Sequence, residues 1–143
     1  MDDGTGAAVL ETARLALHRF TEDDAGFVQA LLNDPSWLRF IGDRGIRTQQ
    51  DARRYINEAL VAAYGRFGFG LYRVSLKAEG TPIGMCGLVK RDALPDADLG
   101  LAFLPGFRGR GYAREAAAAT LAHARDALGL GLVAAIVSPD NDA

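Results

Sequence analysis

The stretch Pro105–Gly106–Phe107–Arg108–Gly109–Arg110–Gly111–Tyr112–Ala113–Arg114–Glu115 joins an apolar run, Leu99 to Leu104, to a long alanine-rich segment. The run before it reads as a strand, and the segment from about Tyr112 to Leu128 as a helix. Three glycines in six positions let the backbone approach a ligand closely and adopt dihedrals other residues resist. The free amides of a helix's first turn, aligned with its dipole, bind phosphate oxygens. Arg108, Arg110 and Arg114 add three cations, so the loop reads as an anion site by composition as well as geometry. A glycine-rich turn with solvated arginines is the competing reading, and the flanking strand and helix favour phosphate. A dinucleotide loop would need Gly-x-Gly-x-x-Gly or Ala. Gly109 and Gly111 fit that spacing, but the next small residue falls on Arg114.

Outward from the loop, the period of the apolar residues sets the elements. Arg14 to Phe20 alternates as a short strand. Thr21 opens a helix as N-cap, with Glu22, Asp23 and Asp24 in the first turn and Phe27, Val28, Leu31 and Leu32 as buried stripe. Residues 36–47 are irregular. Thr48, with Asp51 three residues on, forms the sign of a capping box for a second helix, whose apolar positions run from Ala52 to Tyr64. Gly65 and Gly68 end it. Tyr72, Val74 and Leu76 then alternate with Arg73, Ser75 and Lys77, and Ile83 to Val89 is almost wholly apolar. Short turns at Gly80–Thr81–Pro82 and near Pro95–Asp96 link three strands into an antiparallel meander. Leu132 to Val137 is a last strand, which the strand–helix–strand order makes parallel to Leu99–Leu104. On the last helix, Ala113, Ala117, Thr120, Leu121, Ala124 and Leu128 form the expected buried face. The class is α/β, a mixed sheet with packed helices, in the order strand, two helices, three strands, helix, strand.

At 143 residues the chain holds one domain, residues 12–143, behind a loose tail at residues 1–11. A net charge of −2 offers nucleic acid or anionic lipid no global attraction, so any basic site is local. The start, Met1–Asp2–Asp3–Gly4, is acidic where a signal peptide is basic, and no run spans a bilayer. Cys86 is the single cysteine and sits in an apolar run, which fits a reducing cytoplasm and a buried thiol. His18 and His123 lack a second ligand at metal spacing, so no metal site is expected.

Together these residues resemble the GNAT superfamily of N-acetyltransferases, and within it the branch of ribosomal-protein alanine N-acetyltransferase-like proteins. The signature Arg or Gln-x-x-Gly-x-Gly or Ala is matched by Arg108, Gly111 and Ala113. Thr12 to Arg19 followed by Asp23–Asp24 is similar to that branch's first strand. Ile83–Gly84–Met85–Cys86–Gly87–Leu88, Asp98–Leu99–Gly100–Leu101 and Gly111–Tyr112–Ala113–Arg114–Glu115–Ala116 follow in order and spacing. The resemblance, from about Thr12 to Asn141, implies the acyl-CoA N-acyltransferase fold and transfer of an acetyl group from acetyl-CoA to a primary amine, a protein N-terminus or a small amine. It implies that the amides of Arg108, Gly109, Arg110, Gly111, Tyr112 and Ala113 hold the coenzyme A diphosphate. It further implies that a bulge splays the preceding strand, so that backbone at Leu101, Ala102 and Phe103 pairs with pantetheine and polarises the thioester carbonyl. Asn141 stands where the family often has an Asn touching the cofactor arm.

Direct attack by an amine needs no covalent enzyme intermediate, so no Cys–His or Ser–His pair is required. The amine must lose a proton, and a carboxylate can assist through water. Asp98 is the candidate base, with an exposed turn residue as its plain reading. Ser138 is a candidate partner of the leaving thiol, or simply a strand-end serine. Glu115 resembles the family's first-turn glutamate, which the helix dipole explains without catalysis. Tyr55 and Tyr64 read as packing, Trp37 and Phe40 as a local anchor or an acceptor wall, and Cys86 and His123 as structural. The family normally continues with another helix and two strands, whereas this sequence stops at Ala143. Leu132 to Val137 is apolar on both faces and expects cover. A truncated version, or a homodimer in which a second chain covers that strand, is therefore expected. A non-catalytic acyl-CoA-binding module is the alternative function.

Overall fold

A computed structural model describes residues 8–35, 45–90, 97–107, 109–126 and 133–135, with backbone alone at Lys90, Ala97, Asp98 and Val133–Ala135. Among the described residues, six strands form one sheet in chain order: β1 (Leu10–Glu11), β2 (Leu15–Arg19), β3 (Leu71–Leu76), β4 (Pro82–Lys90), β5 (Ala97–Phe103) and β6 (Val133–Ala135). All neighbours are antiparallel except β5 and β6, which pair in parallel as a strand–helix–strand unit requires. The mixed sheet and the antiparallel meander of β3, β4 and β5 match the expectation from the sequence. β1 was not expected, because two residues carry no readable period. It closes on β2 through Leu10 opposite Leu17 and Glu11 opposite Ala16. The β3–β4 register shifts between Val74 and Ser75, where Ser75 stands opposite Pro82, which has no amide to give a ladder.

The expected capping box at Thr48 forms, and Thr21 makes a second one that the sequence reading did not include. Thr21 accepts from the Asp23 amide at 3.3 Å while Asp24 accepts from the Thr21 amide at 3.0 Å. A 3-10 turn, Glu22–Asp24, therefore precedes α1 (Ala25–Leu32). Thr48 and Asp51 exchange the same pair of bonds, at 3.0 and 3.3 Å, and start α2 (Gln49–Tyr55). The helix then widens into a π-helical segment, Ile56–Val61, and narrows again as α3 (Ala62–Phe67). Its buried positions are Ala52, Ile56, Leu60 and Tyr64, each four residues from the last. An α-helix of 3.6 residues per turn would carry such a series steadily around its axis, and a wider turn brings it back. Gly68 closes the helix at φ +80°, in the left-handed region open to glycine. Gly65, expected as a terminator, lies inside α3 instead, where a lone glycine weakens a helix without ending it.

Each sheet face has its own core. On one, Phe20, Val28, Leu31, Leu32, Ile56 and Leu60 pack with Met85 and Ala102. On the other, Leu15, Leu17, Tyr72, Val74, Ile83, Cys86, Leu101 and Phe103 pack with Ala116 of α4 (Tyr112–Asp126) and with Tyr64. β4 supplies residues to both, which is why its apolar run lacks polar alternation. The buried face of α4 is Ala116, Thr120 and Ala124; Leu121 is 40% exposed, and Ala113 and Ala117 are half-buried. Among the described residues no helix is long and apolar enough to cross a membrane.

Candidate functional site

Beyond β5 the chain makes a 3-10 turn, Pro105–Phe107, with the Phe107 amide on the Leu104 carbonyl at 3.0 Å. Gly109 and Gly111 then take φ +77° and +83°. A side chain at either would be strained, and a Cβ at Gly109 would stand in open space where the loop backbone is bare. The first backbone bond of α4 runs from the Glu115 amide to the Gly111 carbonyl at 3.0 Å. The amides of Tyr112, Ala113 and Arg114 therefore precede the helical ladder, at the positive end of its dipole. This geometry fits a diphosphate: two left-handed glycines, first-turn amides ahead of the helical ladder, and Arg110 exposed beside them.

The loop is held from the other end of the domain. Arg14, just before β2, donates from Nε to Glu115 at 2.7 Å and from Nη1 to the Arg110 carbonyl at 3.1 Å. Its guanidinium carbon lies 4.4 Å from the centre of the Tyr112 ring. The other Glu115 oxygen accepts from the Arg14 amide at 2.9 Å and from the Thr12 hydroxyl. Burial pushes the Glu115 carboxyl up, but the Thr12 hydroxyl, the Arg14 amide and the Arg14 guanidinium outweigh it and hold the carboxyl below its usual range. Glu115 thus does more than complement a dipole. Beside this junction is an open cavity of about 680 Å³, lined by Arg14, Leu76, Lys77, Phe107, Arg110 and Tyr112.

On β5, Leu101, Ala102 and Phe103 are buried, with their side chains packed in the two cores. β6 pairs with Ala97, Asp98 and Leu99; beyond Leu99 no strand among the described residues lies on that edge of β5. The expected bulge does not show in the pairing with β4, whose register is unbroken from Gly84 opposite Phe103 to Lys90 opposite Ala97. Gly84 and Gly87 have a packing reason. A Cβ at Gly84 would come within 2.5 Å of the Ala102 carbonyl oxygen, and one at Gly87 within 2.1 Å of that of Gly70.

Asp98 is placed by its backbone only, opposite Val89 and beside Ala134. Arg108, Ser138, Asn141, Trp37 and Phe40 lie outside the described residues, as do the turn near Pro95 and Leu128. Cys86 is fully buried, with Sγ 3.4 Å from the Thr120 hydroxyl, and burial pushes its thiol up to about 11. Tyr64 packs as expected, stacked on Tyr72 with ring centres 5.5 Å apart. Sequence reasoning missed one buried ion pair, Asp24 with Arg73 at 2.7 Å, with Arg73 Nε also donating to Ser75 at 3.2 Å. Its only signal was a cation on a strand otherwise pointing apolar residues inward. Among the described residues no group of three or more His, Cys, Asp or Glu is placed to hold a metal.

The sequence matches the acetyltransferase (GNAT) domain over residues 14–143. It is 28% identical over 137 residues to an uncharacterized protein, YkkB, of Bacillus subtilis (strain 168), covering 94% of this chain and 78% of that protein. The fold is similar to an acetyltransferase of Agrobacterium tumefaciens str. C58 at TM-score 0.76 and 27% identity, covering 99% of this chain and 81% of that one. It is also similar to the ribosomal-protein-S5-alanine acetyltransferase of Vibrio fischeri, at TM-score 0.73 and 17% identity, over 88% and 72% of the two chains; that likeness is one of fold alone. With the loop, the meander and the parallel last strand all in place, the chain belongs to the GNAT acetyltransferase domain family, whose members use acetyl-CoA.

Proposed function

We propose that this protein transfers the acetyl group of acetyl-CoA to a primary amine by direct attack of the amine on the thioester. The observation that carries the reading is the loop before α4: two left-handed glycines and three first-turn amides that the helical ladder does not use. The amides from Arg108 to Ala113 hold the diphosphate, with Arg110 adding charge. Bound acetyl-CoA supplies an activated acyl carbon. Backbone at Leu101, Ala102 and Phe103, on the edge of β5 that β6 leaves, receives the pantetheine arm and donates to the carbonyl oxygen as charge develops there. Asp98 takes the proton of the amine through water, Ser138 serves the leaving thiol, and Asn141 touches the cofactor arm. The acceptor is an N-terminal amine of a protein, by resemblance to the ribosomal-protein alanine branch, or a small amine. A second copy covers the outer edge of β6, which light scattering would register as a dimer.

Calorimetric titration with coenzyme A, followed by thiol release from acetyl-CoA over a panel of amines and peptides, tests the reading. Binding with acceptor-dependent release is expected. Gly111→Glu puts a negative charge among the amides and abolishes binding. Absence of coenzyme A binding, or full binding by Gly111→Glu, would overturn the site. Tight binding with no release under any acceptor would instead mark a non-catalytic acyl-CoA-binding module.

A further inference from the structure

We infer that Arg14 is a positioning residue for the diphosphate loop, acting by shape rather than by charge; this rests on the reading just given. The guanidinium is engaged on three sides at once: Glu115 at 2.7 Å, the Arg110 carbonyl at 3.1 Å and the face of Tyr112 at 4.4 Å. Arg110 and Tyr112 flank the left-handed Gly111, and a Cβ on Gly111 would sit 3.4 Å from Arg14 Nη2. Arg14 is in turn fixed to the sheet, since its carbonyl accepts from the Lys77 amide at 2.8 Å and Leu15 pairs with Leu76. The loop is thereby pinned to a rigid strand about a hundred residues away in the chain. Its Arg110 carbonyl, the group that would repel an anion, is occupied by a donor. Because Glu115 neutralises the Arg14 charge, little of it is left for a phosphate. The gain is preorganisation: the amides are held in place before the ligand arrives.

A planar fork that bonds two acceptors and stacks on a ring has no substitute in an ammonium. Arg14→Lys should therefore fail to rescue what Arg14→Met loses, although it keeps the charge opposite Glu115. The experiment compares the dissociation constants of coenzyme A, by calorimetry, and of pantetheine, which lacks the diphosphate, by NMR titration. Wild type, Arg14→Met, Arg14→Lys and Glu115→Gln are measured, each checked for a cooperative melt. We expect coenzyme A to weaken about tenfold in both Arg14 variants and less in Glu115→Gln, with pantetheine within about twofold of wild type throughout. Wild-type affinity in the Arg14 variants would overturn the inference while leaving the proposed function standing. Equal loss for both ligands would reduce Arg14 to a general stabiliser, and full rescue by Lys would make its role one of charge; either overturns it. A wild-type protein that binds no coenzyme A would remove the proposed function itself.

Discussion

Asp24 and Arg73 form an ion pair of 2.7 Å between the turn before α1 and the middle of β3, with side chains only 8% and 15% exposed. The same carboxylate caps the turn through the Thr21 amide. Removing one partner leaves a buried charge without compensation, which costs about 3–5 kcal/mol. Arg73→Met should therefore lower the melting temperature sharply, and adding Asp24→Asn should recover part of the loss. Arg125→Met, which breaks a pair that is 73% and 66% exposed, should leave the melting temperature unchanged. A mild effect at Arg73 would show that water or other donors satisfy Asp24.

The Tyr64 hydroxyl accepts from the Phe20 amide at 3.0 Å and donates to the Leu71 carbonyl at 2.5 Å, bridging the end of β2 to the start of β3. Burial pushes this hydroxyl above its usual range, so it stays protonated and serves as a strut. Tyr64→Phe leaves both backbone groups unmatched at a cost of about 1–3 kcal/mol. Denaturant unfolding measures it, and a loss near zero would contradict the bridge.

Glu115 predicts a pH dependence. Its folded carboxyl lies below the usual 4.5, so the folded state binds fewer protons than the unfolded chain near that pH. The stabilisation is whole above 4.5 and is lost as the pH falls through the lower folded value. Melting curves from neutral pH downward should show this acid limb in the wild type and a shallower one in Glu115→Gln. Parallel curves would rule out a contribution from the clamp.

Glycines of two kinds should respond differently to alanine. At Gly87 the new Cβ meets the Gly70 backbone at 2.1 Å, and rigid strands cannot move apart, so Gly87→Ala should not yield a stable fold. At Gly109 the space is open and the φ of +77° is the only obstacle, a strain of about 1–2 kcal/mol. Gly109→Ala should fold, melt slightly lower and bind coenzyme A less well. Soluble expression and calorimetry separate the two cases.

Local signals were readable in the sequence and distant ones were not. Thr21 caps the turn it opens and Thr48 is three residues from Asp51, so one turn of chain contains each signal. The sheet followed from alternation, and the parallel β5–β6 pair from the strand–helix–strand order. The loop was visible because glycines and arginines cluster there. By contrast, Arg14 and Glu115 are 101 residues apart and Asp24 and Arg73 are 49 apart, and each looks like an ordinary solvated charge until the fold joins them. On α4, Thr120 and Ala124 are buried as expected, but Ala116 is buried in place of Ala113 and Ala117, and Leu121 is exposed, because alanines surround the helix and give its period little contrast. The core tyrosine was found, but not the two backbone groups it joins.

The wide turn at Ile56–Val61 keeps one stripe of its helix turned inward along a path that meets two cores. Ala52, Ile56 and Leu60 belong to the core beneath α1, whereas Tyr64 reaches the opposite core and stacks on Tyr72. One continuous rod thus contributes side chains to both cores, Tyr64 to one and the three residues before it in the stripe to the other. Shortening it by one residue would swing the tyrosine through roughly a quarter-turn or more. Phe20 and Leu71 would lose their common partner, and β2 and β3 would come unlaced where the ladder between them ends.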